Sequence, residues 1–216
     1  MMPAAMSSVP TIKKKVKVEM TDGTVRNMGR AEYLYGATYA EAVSLSDCRN
    51  KGMTDTQIWQ YYCAMAEITN TLAVYFQNVE TGKHTNADIC ATTHCQSYGR
   101  GAYPAEITEA VDSIFYTNND GSKLGLVLMH KPTVSTYNYI CAFHFSSCGG
   151  NGTKTVSGIP YLKEKSCSDL IRGFGGHRQG LCQCGAAKMA KNGKRCEDIL
   201  TYYFTNSDTE FCKMVS

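Results

Sequence analysis

"TDTQIWQYYCAMAEITNTLAVYF", residues 54–76, is the stretch around which the rest of the chain can be organised. Thr54 and Gln57 have capping-box spacing, in which the hydroxyl takes the amide three residues on and the Gln side chain returns to the first amide. Behind them Ile58, Tyr61, Tyr62, Met65, Ile68, Leu72, Tyr75 and Phe76 recur at helical intervals, as in a helix with one buried face. The length and apolarity of this pattern predict a central scaffold helix. Its Met and aromatic row reads as core rather than as a ligand site.

Upstream, "VKVEMTDGTVRNM" alternates apolar and polar residues about Asp22-Gly23, the signature of a β-hairpin with a tight turn. "AEYLYGATYAEAVSL" reads as a helix in which Leu34, Ala37, Glu41 and Leu45 fall near one face. Glu41 therefore sits on or beside the inward side. Two readings stay open from the residues alone: an edge carboxylate that reaches water, or a catalytic one.

Downstream, "PAEITEAVDSIFYT" reads as a helix with Pro104 in its first turn and Ile107, Val111, Ile114 and Phe115 buried. "NNDG" marks a turn. "KLGLVLMH" and "STYNYICAFHF" read as two strands, "SSCGGNGTKTVSG" as a loop, and "RCEDILTYYF" as a closing helix after the Gly-rich "RGFGGHRQGLCQCGAAKMAKNG". The mixed order predicts an α+β class, with helices and antiparallel strands around a substrate groove. The 216 residues amount to one domain, 1–216, opened by an N-terminal hairpin over 1–29, or one domain with a smaller lobe inserted in it.

Composition narrows the partners. With 43% hydrophobic and 19% charged residues the chain reads as an ordinary soluble globular protein, and no stretch approaches the ~20 apolar residues of a membrane span. The start, "MMPAAMSSVPTIKKK", places its charge after the small apolar run and has no h-region, so it does not read as a signal peptide. A net charge of +3 and a pI near 8.2 are too mild for nucleic acid. Lys13, Lys14, Lys15 and Lys17 around Val16 and Val18 read as the wet face of a strand. Eleven cysteines are many for a reduced protein, and an odd number cannot all pair within a monomer.

Four donors stand out. His84, Cys90, His94 and Cys95 put two imidazoles and two thiols within twelve positions, the ligand number and type of a tetrahedral zinc site. His94 and Cys95 are adjacent, so both can face one ion only in a turn. Spacing leaves open a Cys90–Cys95 disulfide or unrelated core thiols. If all four bind, the coordination sphere is closed and the metal is structural. A second cluster, His177, Cys182, Cys184 and Cys196, is a weaker option. The Gly-rich segment lacks both GxGxxG after a strand and a GK[ST] ending, which argues against a nucleotide loop. His144, Ser146, Ser147 and Cys148 sit at a strand end, where functional groups collect.

Taken in order, "GATYAEA", "CAMAEITNTLAVYF", "CQSYG", "HFSSCGG", Pro160-Tyr161-Leu162, "GFGGHRQGLCQCGA", "MAKNG" and "ILTYYF" resemble the stage II sporulation protein D family, the amidase-enhancer or peptidoglycan lytic transglycosylase domain. The resemblance runs from roughly Glu32 to Phe204. It implies a single catalytic glutamate, Glu41, and the zinc set of the clostridial members on His84, Cys90, His94 and Cys95, with the loop between Cys90 and His94 one residue shorter. It also implies glycan contacts at Tyr98, His144, Ser147, His177 and Gln183. Met65 and Asn70 replace a Gln and an Arg of the family pattern, and Cys182 and Cys184 replace a Ser and a Tyr. The implied reaction cleaves the bond between N-acetylmuramic acid and N-acetylglucosamine and closes a 1,6-anhydro ring without water. The implied partners are peptidoglycan glycan strands and a cell-wall amidase, in an extracytoplasmic setting. For the acid role Glu41 needs a pKa raised above the ~4.3 of a free side chain, which apolar burial supplies. Competing expectations are a non-enzymatic amidase enhancer and a zinc-dependent hydrolase with an open metal position.

Overall fold

A computed structural model describes residues 12–117, 123–133, 136–171, 173–204 and 210–214. The quoted start up to residue 11 and the expected turn at 118–121 lie outside them. Helices and small sheets alternate, so the chain is α+β. No helix among the described residues is long and apolar enough to cross a membrane.

The N-terminal hairpin forms where alternation placed it. β1 (Lys15–Glu19) and β2 (Val25–Gly29) pair antiparallel, and Asp22 accepts the Thr24 N–H at 3.0 Å inside the turn. Val16 and Val18 are buried while Lys15 and Lys17 are exposed, so the basic run is the wet face of a strand. The next helix departs from expectation: α1 (Arg30–Glu41) stops at Glu41 instead of continuing to Leu45. Ser44 starts a new one, α2 (Leu45–Asn50), its Oγ accepting the Asp47 N–H at 3.1 Å. A serine hydroxyl offers the backbone an alternative to the helical ladder, and here that local bond breaks the periodic pattern.

α3 (Asp55–Asn78) carries both halves of the capping box, Thr54 Oγ1 accepting the Gln57 N–H and Gln57 Oε1 the Thr54 N–H at 2.9 Å. Every residue from Tyr61 to Val74 is buried, so the helix is enclosed all round rather than along one stripe; Tyr75 alone of the expected row is half-buried. Around it lie β3 (Ile89–Cys90), α4 (Ala105–Ser113), β4 (Phe115–Thr117), β5 (Lys123–Gly125), β6 (Val127–Thr133) and β7 (Thr136–Tyr139). The rest of the chain adds β8 (His144–Phe145), β9 (Ser147–Cys148), β10 (Phe174–Gly175), β11 (Leu181–Cys182), α5 (Gln183–Lys191), α6 (Cys196–Phe204) and β12 (Glu210–Met214). Helices α1, α4, α5 and α6 and strand β6 all pack on α3.

Three boundaries differ from the sequence reading. Pro104 is the N-cap of α4, and Phe115 leaves that helix for β4, as an aromatic and β-branched run favours. The expected 123–130 strand is two strands, parted at Leu126, whose N–H donates to Ile114 O at 2.9 Å. The expected 135–145 strand ends at Tyr139 because the Cys141 N–H leaves the ladder for the Tyr161 hydroxyl at 3.0 Å. The strands are also not all antiparallel: β1 with β3 and β8 with β11 are parallel pairs. α5, built from the Gly-rich segment, escapes the sequence reading.

Arg30 is 2% exposed and joins three segments. Its guanidinium donates to Lys13 O at 2.8 Å, to Asn70 Oδ1 at 2.9 Å and to Gln77 Oε1 at 2.6 Å. Burial pulls its pKa down to about 10, which leaves it charged at neutral pH. Asn70 and Met65, the two departures from the family pattern on this helix, are thus both core residues, Asn70 spent on Arg30 and on Leu126 O at 2.9 Å. Arg30→Met leaves two buried acceptors and one part-buried acceptor without their donor and is expected to lower the unfolding free energy by about 3–5 kcal/mol, whereas exposed Lys17→Ala stays within about 0.5 kcal/mol. Urea denaturation compares them; equal stability of the two variants refutes the assignment.

Candidate functional site

Glu41 is the last residue of α1 and points into a groove of about 600 Å³. Three donors converge on its carboxylate. The Ser97 N–H reaches Oε1 at 2.5 Å, Gln183 Nε2 reaches Oε2 at 3.0 Å, and His144 Nε2 lies 3.3 Å from Oε2. Each arrives from a different part of the chain, so the cluster exists only in the folded protein.

Ser97 belongs to "CQSYG", which is laid along α1. Tyr33 donates to Gln96 Oε1 at 2.6 Å and the Gly99 N–H donates to Gly36 O at 3.0 Å. Gly36 permits this approach: a Cβ there meets the Tyr98 ring at 2.3 Å and Gly99 O at 2.6 Å. His144 and Gln183 arrive together through the parallel pairing of β8 and β11, which sets Leu181 opposite His144 and starts α5 at Gln183. Gly180, with φ near +77°, lets these strands touch, since a Cβ there falls 2.0 Å from Phe143 O.

The carboxylate's environment reverses one expectation. Burial raises the Glu41 pKa, but the hydrogen bond and charge of His144 and the bonds from Ser97 outweigh it and draw the value down to about 2. Glu41 is an anion at neutral pH, because its burial is among donors rather than apolar neighbours. His177 faces the same groove, its ring packed 5.8 Å from Phe143 and 5.7 Å from Phe145. Its pKa is lowered, first by burial and then by the charge of His144. The Gln179 N–H donates to His177 Nδ1 at 3.0 Å, so the neutral ring carries its proton on Nε2 as a donor.

Of the expected site residues, Glu41, His144, His177 and Gln183 line one groove. Two do not. Tyr98 stacks on Tyr33 with ring centroids 6.1 Å apart, and Ser147 is buried, donating to Asp169 Oδ2 at 2.7 Å. Ser146 takes the groove position instead, alongside Phe76, Phe143 and Phe145. Ser97 was not legible as a contact because it acts through its backbone N–H, which every non-proline residue has.

His84, Cys90, His94 and Cys95 converge, and the four donor atoms could hold a metal ion. Cys90 and Cys95 are thiols and not a disulfide. Cys90 arrives on β3, paired in register with Glu19 of β1. A turn closed by the Cys95 N–H on Thr92 O at 3.1 Å turns His94 and Cys95 to the same side. Glu19 Oε2 holds the other nitrogen of His84, Nδ1, at 3.0 Å. His94 and Cys95 also line the groove, which joins this cluster to the wall beside Glu41. The other expected cluster is not assembled: His177 is in the groove, and Cys196 Sγ donates to Glu67 Oε1 at 3.3 Å. Cys182 instead joins Cys148, Cys167 and Asp169.

No protein-family model matches the chain, and no curated protein matches it.

The depressed pKa of Glu41 has a consequence for stability. A carboxyl near 4.5 when unfolded and about 2 when folded contributes fully above about pH 4.5, and that contribution disappears as pH falls through 2. Between pH 5 and 2 the native protein is expected to lose on the order of 3 kcal/mol more than Glu41→Gln. Denaturant titrations across that range measure the difference, and parallel acid limbs for the two proteins contradict it.

Proposed function

We propose that the protein is a lytic transglycosylase of peptidoglycan, cleaving the bond between N-acetylmuramic acid and N-acetylglucosamine to leave 1,6-anhydro ends, with Glu41 as its general acid and base. The observation that carries this reading is a single carboxylate in the groove. Among the described residues lining it, Glu41 is the only Asp or Glu. Glycoside hydrolysis needs a second carboxyl about 5–9.5 Å away to activate water or to form a glycosyl intermediate. Attack by the sugar's own C6 hydroxyl needs only one. The ordered motifs read from the sequence support the same reaction.

The proton for the leaving oxygen starts on the Glu41–His144 pair. In the open groove Glu41 is the anion, and the His144 Nε2 donor lies 3.3 Å from its Oε2. A glycan that fills the groove expels water and raises the cost of separated charges, so the proton moves from His144 Nε2 to Glu41 Oε2. Glu41 then protonates the glycosidic oxygen. Its carboxylate takes the proton of the C6 hydroxyl as that oxygen bonds to C1, and the cycle closes without water. Neutral His177 offers Nε2–H to a sugar oxygen, and Phe143, Phe145 and Phe76 offer apolar faces to the sugar rings.

The metal of the His84, Cys90, His94 and Cys95 cluster is zinc in this reading, and its role is structural. Bonds of about 2.0–2.1 Å to nitrogen and about 2.3 Å to sulfur at tetrahedral angles separate neighbouring donors by about 3.3–3.8 Å. The separations here are 3.1 Å for His84 Nε2 to Cys95 Sγ, 3.4 Å for His94 Nδ1 to Cys95 Sγ and 3.6 Å for His94 Nδ1 to Cys90 Sγ. The Glu19 contact on His84 is the outer support that ligating histidines generally have. Zinc bound there supplies cross-linking of the loop that carries Ser97, two residues past Cys95.

Glu41→Gln is expected to abolish release of anhydro-sugars from purified glycan strands while leaving pelleting with those strands intact. Mass spectrometry of the products decides it. Undiminished anhydro ends from the variant remove Glu41 from the chemistry. Binding without cleavage by the native protein supports the amidase-enhancer reading, and reducing ends that require zinc support a metal-dependent hydrolase. Separately, His84→Ala is expected to lower bound zinc by about one equivalent per chain and to lower the melting temperature; unchanged zinc content overturns the metal assignment.

A further inference from the structure

A second set of soft donors gathers among residues that do not line the groove. Cys148 ends β9, Cys167 and Asp169 come from the loop before β10, and Cys182 ends β11, three separated stretches that meet with one donor atom each within 4.8 Å of all the others. Asp169 Oδ1 is 3.2 Å from Cys148 Sγ and 3.2 Å from Cys182 Sγ. We propose that Cys148, Cys167, Asp169 and Cys182 form a second structural metal site, which takes a thiophilic divalent cation, zinc, in a three-sulfur, one-oxygen tetrahedron.

The donor set selects the ion. Three thiolates exclude the hard cations that prefer all-oxygen shells, and four donors leave no position for water, as in structural zinc sites. The 3.2 Å separations are close to the about 3.5 Å edge expected between a zinc-bound oxygen and sulfur. A disulfide is the competing use of such thiols. It accommodates two sulfurs, and it leaves a third thiol and a carboxylate gathered at the same point with nothing to bind.

The surroundings are those of a ligated set. The Gly185 N–H donates to Cys182 Sγ at 3.3 Å, with Cys182 as the N-cap of α5. The Tyr203 hydroxyl lies 3.3 Å from Cys167 Sγ. Ser147 Oγ donates to the outer oxygen of Asp169, Oδ2, at 2.7 Å, and the Gly150 N–H does so at 3.2 Å, which leaves Oδ1 aimed at the sulfurs. These bonds support three of the four donors in the way outer partners orient metal ligands. Gly185 has to be glycine for this: a Cβ there meets Cys167 Sγ at 2.2 Å and the Tyr203 hydroxyl at 2.4 Å. Cys167 also borders an open cleft lined by Lys165, Lys188 and Lys194, which offers an ion a way in and offsets the negative donor set.

The site has a place in the architecture that does not depend on what the groove binds. Cys182 adjoins Gln183, and Ser147 ties Asp169 to the strand end that follows His144, so this ion fastens two of the three partners of Glu41. The folded protein purified without chelator is expected to hold about two zinc ions per chain by elemental mass spectrometry. Cys167→Ser, at the half-buried thiol of the set, is expected to hold about one, as is His84→Ala, and the double variant close to none. Cobalt added to metal-stripped His84→Ala provides an independent readout, with intense sulfur-to-metal charge-transfer absorption expected from the three thiolates and lost in the Cys167→Ser double variant. Zinc near one per chain that falls to none in His84→Ala overturns the proposal. So does a native mass two hydrogens light, with Cys148, Cys167 or Cys182 resistant to alkylation until reduced.

Discussion

Over residues 61–74, where α3 is buried on every side, there is no wet face on which to leave polar side chains. Several of its polar residues therefore fix a neighbour. Asn70 and Gln77 accept from Arg30 of α1, and Gln77 also donates to Lys15 O and to Asp88 Oδ2, both at 2.9 Å. The Thr71 hydroxyl accepts the Leu128 N–H of β6 at 3.0 Å, Gln60 Oε1 accepts the Cys196 N–H of α6 at 2.7 Å, and Gln57 Nε2 donates to Lys191 O of α5 at 2.8 Å. Apolar contact supplies most of the favourable free energy of such a core, but it is nondirectional. The polar positions set register, since a buried amide or guanidinium left unpaired costs more than a displaced methyl group.

The groove inherits this order. α1 is held against α3 by Arg30 at its first residue and presents Glu41 at its last. The three donors around that carboxylate come from the loop that follows the His84 cluster, from β8 and from the first residue of α5, the last directly after Cys182. In the proposed reading, the two ions do no chemistry and instead maintain the distances that keep Glu41 an anion paired with His144. In that same reading, a groove open to a glycan strand cannot be closed by apolar packing, and coordination bonds would keep its walls in position.

Much of the framework was legible along the chain. The capping box of Thr54 and Gln57, the Asp22-Gly23 hairpin and the closing helix at Cys196–Phe204 rest on local patterns whose partners lie within a few residues. The convergence of His84, Cys90, His94 and Cys95 was also readable, because a short loop brings neighbours in sequence together in space. The misreadings share a cause. Helix α1 was extended past Glu41 because periodicity continues to Leu45 while the Ser44 cap interrupts it. The strands after residue 123 were joined because nothing local marks Leu126 or Cys141 as spent on Ile114 O and on Tyr161.

For this protein the sequence by itself determined the N-terminal hairpin, the capped start of α3, the closing helix, and that a carboxylate and a four-donor loop are present. Those properties depend on side-chain period and on contacts a few residues apart. The tertiary structure alone decided the ionisation of Glu41, the withdrawal of Ser147 and Tyr98 from the groove, and the meeting of Cys148 and Cys167 with Cys182 in place of the His177 set. Each of these depends on groups tens of residues away: Ser97 lies 56 positions from Glu41, and Gln183 lies 142. A pKa or a ligand set is the sum of the dipoles, charges and water that surround an atom, and only the packed chain assembles them.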